Sequence, residues 1–275
     1  MSAISFAPSI AILSLVQASL IALPARRSLP SKLRLSSRWW GLVLPGSVVV
    51  VVAGIAILPG LADGLTYLAL IAVPILASLA LAWAMRGARP ALALLPIPLF
   101  ALAWAIPETL AGQAAAVGLS ALACVALGVL VASIVPSRWL KLAIYAMAIV
   151  DAYLVGADLL QNPNDVLNAA APAAGLPQLQ FAQFGSAVLG FGDLFIAAVL
   201  GAVVAGDRRL QIRATAIAAW LALAFDLLFF VVSLLPATVP IAVTLGVLEL
   251  AGRRRSVRGS ASPPAAAHDP RGVAA

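Results

Sequence analysis

Charge is scarce in this chain. Asp, Glu, Lys and Arg make up 10% of 275 residues against 63% hydrophobic, and mean hydropathy is +1.09. Soluble domains of this length do not have such a composition, whereas long apolar runs with few charges read as transmembrane helices. Histidine is almost missing: the single one, His268, lies in the polar C-terminal tail. That excludes a Ser-His dyad within the membrane, and also a His-Glu-x-x-His zinc site, which needs two histidines. Cysteine is as rare. Cys124 stands alone inside an apolar run, so no internal disulfide forms. A P-loop pattern is lacking, which removes a direct nucleotide motor, and carboxylates offer the only ligand set for a metal. No cofactor or metal is expected.

The apolar residues fall into nine segments, at about 3–23, 42–59, 64–85, 91–107, 111–135, 139–160, 184–205, 212–235 and 236–250. Most reach the ~20 residues that cross ~30 Å of hydrocarbon. They are continuously apolar and do not alternate, which points to helices and not to a barrel. The expected fold class is therefore all-α: a polytopic membrane protein of nine transmembrane helices. Its single membrane domain covers 1–251, followed by a basic, then Ala/Pro-rich tail over 252–275 that is expected to be disordered. The fourth segment carries Pro96, Pro98 and Pro107 and should be kinked or broken. The first has no basic residues before it, and Arg26 and Arg27 after it, so it reads as a retained helix and not a cleaved signal.

The net charge of +7 does not suggest nucleic acid, because the cations lie between the apolar runs. Arg26, Arg27, Lys32, Arg34 and Arg38 follow segment one. Arg86 and Arg89 follow segment three, Arg138 and Lys141 open segment six, and Arg208, Arg209 and Arg213 follow segment seven. Arg253, Arg254, Arg255 and Arg258 follow segment nine. The alternate loops contain no Lys or Arg. The positive-inside bias places the N-terminus outside and the C-terminus in the cytoplasm, as an odd number of spans requires. An integral protein of a prokaryotic plasma membrane is the expected setting, with the lipid bilayer as its first partner.

Four Asp residues interrupt the apolar segments. At the bilayer centre each costs about 2.5–3.5 kcal/mol even on the lenient insertion scale. Asp151 is expected about 18 Å along segment six from its inner end, and Asp158 about 28 Å, near the outer interface. Asp193, in segment seven, is expected about 14 Å below the outer surface. Asp151 and Asp193 then share a depth on antiparallel neighbours. Two carboxylates held close in a low dielectric cannot both ionise, so one proton is shared between them. The ionised member takes a proton from water and the protonated one donates to a carbonyl oxygen, which is aspartic-protease chemistry. Asp226 is expected to be a neutral, hydrogen-bonded acid more than a catalytic one, and Glu249 an interfacial ion-pair partner.

Gly190-Phe191-Gly192-Asp193 resembles the GxGD motif of the presenilin and signal peptide peptidase family of intramembrane aspartyl proteases. Leu235-Pro236-Ala237-Thr238-Val239-Pro240-Ile241 is similar to that family's Leu-Pro-Ala-Leu-Pro-Ile segment, and Asp151 occupies the place of the Asp in its Tyr-Asp pair. The resemblance covers about 139–250 and implies a presenilin-like arrangement. It implies that Asp151 and Asp193 are the catalytic pair, that Gly190, Gly192, Pro236, Ala237 and Thr238 shape the site, and that the substrate is a transmembrane peptide or protein. The orientation is that of signal peptide peptidase. Val150 stands where the family has Tyr, Thr238 where it has Leu, and one extra residue separates the two prolines.

Three other readings use the same acids. One is a proton- or solute-coupled transporter, for which an internal inverted repeat is the expected mark; none is visible. One is a prepilin-peptidase-like enzyme, a group that also has GxGD but carries Lys where this chain has Phe195. The third is a catalytically inactive, protease-like scaffold. The oligomeric state is left open.

Overall fold

A computed structural model describes residues 5–27, 60–159, 175–232 and 234–260, with isolated residues of 46–58 and 165–173. The second expected span, 42–59, lies largely outside the described residues, as do Lys32, Arg34, Arg38 and the chain beyond 260, including His268.

The described chain is mostly helical: α1 (Phe6–Ser19), α2 (Gly60–Leu79), α3 (Pro96–Ala105), α4 (Leu110–Ile134), α5 (Ser137–Gly156), α6 (Phe191–Val204), α7 (Arg208–Asp226) and α8 (Val239–Ser260). One wider turn at Ala80–Ala84 extends α2, and 3₁₀ turns at Pro90–Leu94 and Leu227–Phe230 flank α3 and α7. Among the described residues, four helical stretches are long and apolar enough to cross a membrane: Gly60–Ala84, Leu110–Ile134, Ser137–Gly156 and Arg208–Phe230. The first two, 25 residues each, are about 37 Å long at 1.5 Å per residue. Phe6–Ser19, Pro90–Ala105, Phe191–Val204 and Val239–Gly252 are shorter apolar helices.

Local chemistry sets the ends. Thr109 caps α4 by accepting from the Gly112 N–H at 3.2 Å. Asp207 caps α7 by accepting from the Arg209 and Leu210 N–H groups at 2.9 and 3.2 Å. Of the fourth segment's prolines, Pro96 stands at the first position of α3 and Pro107 lies just past its end at Ala105, and a 3₁₀ turn opened by Pro90 precedes it. α5 ends in a Schellman arrangement. Asp158 adopts φ +56, its N–H donates to Val155 O at 3.1 Å, and the Leu159 N–H donates to Leu154 O at 2.9 Å.

The all-α expectation needs correcting at one place, and it is the place that matters most. Segment seven does not become helical at Phe184. Residues Phe181–Phe184 and Ala187–Gly190 pair as an antiparallel hairpin, β1–β2, with Phe184 opposite Ala187. The two-residue loop is Gly185-Ser186, with Gly185 at φ +58, the positive-φ position that a tight hairpin turn gives to glycine. α6 starts only at Phe191. The tail differs too: α8 runs on to Ser260, so residues expected to be irregular from Gly252 begin as helix.

α4 is the central helix. It packs against α2, α3, α6 and β1, and its Leu119, Ala123, Cys124, Val125 and Ala126 are fully buried. Small residues let the backbones close up. A Cβ on Gly128 of α4 would stand 2.8 Å from the Ala198 carbonyl carbon of α6, and one on Gly201 of α6 would stand 2.6 Å from Ile21 O. The outward faces of α2, α5 and α7 carry exposed Ile71, Ile75, Ile149 and Trp220.

Candidate active site

α5 packs against α6, and the two expected acids meet there. Asp151 stands in the last turns of α5 and Asp193 in the first turn of α6. Both line one cavity of about 910 Å³, bounded by α1, α2, α5, β2, α6, α7 and the segment that leads into α8. Their carboxylates interact electrostatically. Asp193 is thus not at the middle of a long helix, as the apolar run implied. The hairpin replaces the first turns of that expected helix and delivers Asp193 to the cavity at a helix start.

The glycine motif has a local cause. Gly190 is the residue before α6, with extended backbone, and Asp193 is the third helical residue. The Asp193 carboxylate turns back and accepts from the Gly190 N–H, the same reach that closes a capping box. A Cβ at Gly190 would stand 2.9 Å from Asp193 Oδ2. A side chain there would make that carboxylate shift from this position. Gly192 has no such demand: its Cβ would stand 3.9 Å from Met147 Cε, an ordinary contact against α5.

Asp151 is held from the other side. The Thr238 hydroxyl donates to Asp151 Oδ2 at 2.6 Å and the Thr238 N–H donates to the same oxygen at 3.3 Å. The first distance is that of a charge-assisted bond. Thr238 is buried and immediately precedes α8, where a threonine side chain commonly caps its own helix; here it is spent on α5. Pro236 and Ala237 make the turn, with the Val239 N–H donating to Pro236 O at 3.1 Å. Ala237 and Pro240 line the cavity together with Leu235.

One residue that the sequence did not single out ties these pieces together. Gln17 of α1, 2% exposed, donates through Nε2 to Asp193 O and to Ala237 O, both at 3.1 Å. Its polar side chain inside an apolar segment was the available signal; its two distant partners had none.

The remaining acids separate as their positions dictate. Asp158 is exposed and ends α5, away from the pair. Asp226 ends α7 and lines the cavity with Ser14, and its buried Oδ2 has no hydrogen-bond partner among the described residues. Glu249 pairs with Lys141 at 3.1 Å and accepts from the Tyr145 hydroxyl at 3.2 Å, which ties α8 to the start of α5. Among the described residues, no Lys or Arg lines the cavity. With no cation among them, charge on both Asp151 and Asp193 would go uncompensated, which disfavours the doubly ionised pair. Among the described residues no three His, Cys, Asp or Glu side chains cluster as metal ligands do.

Compared with known proteins, the chain matches no family model, no curated sequence and no solved structure.

Proposed function

We propose that the protein is an intramembrane aspartyl protease of the presenilin and signal peptide peptidase type. One observation carries this reading: Asp151 and Asp193, on different helices, line one cavity with the Ala237–Pro240 segment, and each carboxylate is held by a donor from a separate motif. The apolar helices and the exposed Ile71, Ile149 and Trp220 suit a lipid-facing surface. Nine spans, an external N-terminus and a cytoplasmic C-terminus in a prokaryotic plasma membrane complete the proposal, and the basic loops supply the orientation. The substrate is a transmembrane segment of a peptide or protein, and a cavity of about 910 Å³ has room for several of its residues.

Asp151 is the base. Two donors from Thr238 converge on its Oδ2 and favour the ionised form, which leaves Oδ1 to take a proton from water. The water oxygen bonds to the scissile carbonyl carbon as Asp193 passes its proton to the carbonyl oxygen. The resulting diol collapses, the C–N bond breaks, and the proton held by Asp151 moves to the departing nitrogen. A proton from the diol returns to Asp193. The peptide gains one water and the pair ends as it began.

The test is cleavage of a reporter transmembrane helix by the full chain in liposomes. Asp151→Asn and Asp193→Asn each keep the side-chain shape and should abolish cleavage while thermal stability is retained. Cleavage that survives both changes removes the proposal, and solute or proton flux lost in the same variants without any wild-type proteolysis favours a transporter.

A further inference from the structure

A second cavity, of about 480 Å³, lies at the opposite kind of site: it is basic. Its walls come from three stretches of chain that are far apart in sequence. Arg26 and Arg27 follow α1, Arg86 and Gly87 follow α2, and Gly206 and Arg208 span the α6–α7 turn. A short backbone bridge joins the first two stretches. The Ala25 N–H donates to Ala84 O and the Arg86 N–H to Leu23 O, both at 2.9 Å, so that Pro24 faces Met85.

Four guanidinium groups share this space, and the structure holds three of them with neutral acceptors. Gln211 is fully buried. Its Oε1 accepts from Arg86 Nε at 2.9 Å and from Arg208 Nη1 at 3.1 Å, while its Nε2 donates to Pro24 O at 2.9 Å and Gly201 O at 3.3 Å. Arg86 Nη2 donates to Ala205 O at 2.7 Å, Arg208 Nη1 to Ala22 O at 2.6 Å, and Arg27 Nε to Trp83 O at 2.9 Å. These bonds fix the direction of the side chains and leave their charge untouched. Among the described residues, no Asp or Glu lines the cavity. The nearest in sequence, Asp207, is occupied in capping α7. From Pro24 to Ala62 the sequence contains no carboxylate at all, so the intervening segment brings none.

Like charges gathered by neutral anchors make a preorganised anion site. Guanidinium forks match the oxygens of a phosphate. The cavity opens where three apolar helices end, the level at which lipid headgroups lie, and basic pockets between membrane helices on the cytoplasmic side hold anionic headgroups. We propose that this cavity binds the phosphate of an anionic phospholipid. Gln211 is the positioning residue that aims Arg86 and Arg208 into it, and Arg26, which takes part in none of the anchoring bonds, lines it beside Gly206.

The experiment uses the full chain in phosphatidylcholine nanodiscs with and without phosphatidylglycerol. Phosphatidylglycerol retained per protein is read by native mass spectrometry, and melting is followed in parallel. Wild type should retain phosphatidylglycerol over phosphatidylcholine and melt higher in its presence. Arg86→Gln combined with Arg208→Gln should weaken retention roughly tenfold, the loss of about one charge-assisted bond. If that double variant does not fold in phosphatidylcholine, Arg26→Gln alone should reduce retention while its melting in phosphatidylcholine stays at the wild-type value. Equal retention of the two lipids by wild type, undiminished phosphatidylglycerol retention in every folded variant, or the same thermal gain from inorganic phosphate would each overturn the assignment.

Discussion

Replacing Thr238 by valine isolates one contact at the proposed catalytic centre. Valine keeps the volume and branching of threonine, so the buried site stays filled. What disappears is the hydroxyl that donates to Asp151 Oδ2 at 2.6 Å; the backbone N–H at 3.3 Å remains. A hydrogen bond to a charged group contributes about 1.5–3 kcal/mol. If the ionised Asp151 is the base, its loss raises the barrier by up to that amount, and the cleavage rate should fall by about 10- to 150-fold at 1.4 kcal/mol per tenfold. Thr238→Ser, which retains the donor and loses only a methyl group, should stay within about fivefold of wild type. The assay is the initial rate of reporter-helix cleavage in liposomes at saturating substrate, with melting temperature measured on the same preparations. A valine variant that cleaves at the wild-type rate refutes the role given to Thr238. A serine variant as slow as valine assigns the effect to packing and not to the hydroxyl.

Other outcomes follow from the same geometry. Gly190→Ala sets a Cβ 2.9 Å from Asp193 Oδ2 and should cost at least tenfold in cleavage, whereas Gly192→Ala, at 3.9 Å from Met147 Cε, should remain within a few-fold; equal rates for the two would contradict the capping account. Gln17→Leu strips the donor from Asp193 O and Ala237 O and should lower stability by about 1–3 kcal/mol, seen as a lower melting temperature, and an unchanged melt would deny the clamp. Gly128→Ala pushes a methyl against the α6 backbone at 2.8 Å and should destabilise the fold before it touches chemistry, measured as loss of melting temperature at unchanged rate per folded protein. Lys141→Ala breaks a partly exposed ion pair with Glu249 and should move stability by no more than about 1 kcal/mol; a much larger fall in the denaturation midpoint would mean that the α5–α8 tie matters more than its exposure suggests.

Continuous apolarity made α2, α4, α5 and α7 legible to within a few residues, because a helix that buries its backbone bonds needs nothing but length and hydrophobic cover. The same signal misread 184–190. Ala-Val-Leu-Gly is as apolar as a helix, and hydropathy alone does not separate the two periods over four residues. Gly185-Ser186 between the strands was the turn signal that a purely hydropathic reading passed over. The two acids were legible because a carboxylate in an apolar run is costly wherever it lies, and their meeting in one cavity did not depend on the exact helix start. Thr238 was noted as a departure from a motif, while its bond to Asp151 is a matter of how α8 approaches α5. Gln17 could be seen as polar but not paired, since its partners lie 176 and 220 residues away.

That last span of sequence has a consequence for biosynthesis. Gln17 lies on α1 and Ala237 in the turn that opens α8, so α1 waits through the synthesis of six intervening helices for this partner. Neither half of the dyad's scaffold is locked until both have been inserted. The proposed hydrolase would then stay inert until α8 is in place, and its nascent neighbours in the translocon would be spared.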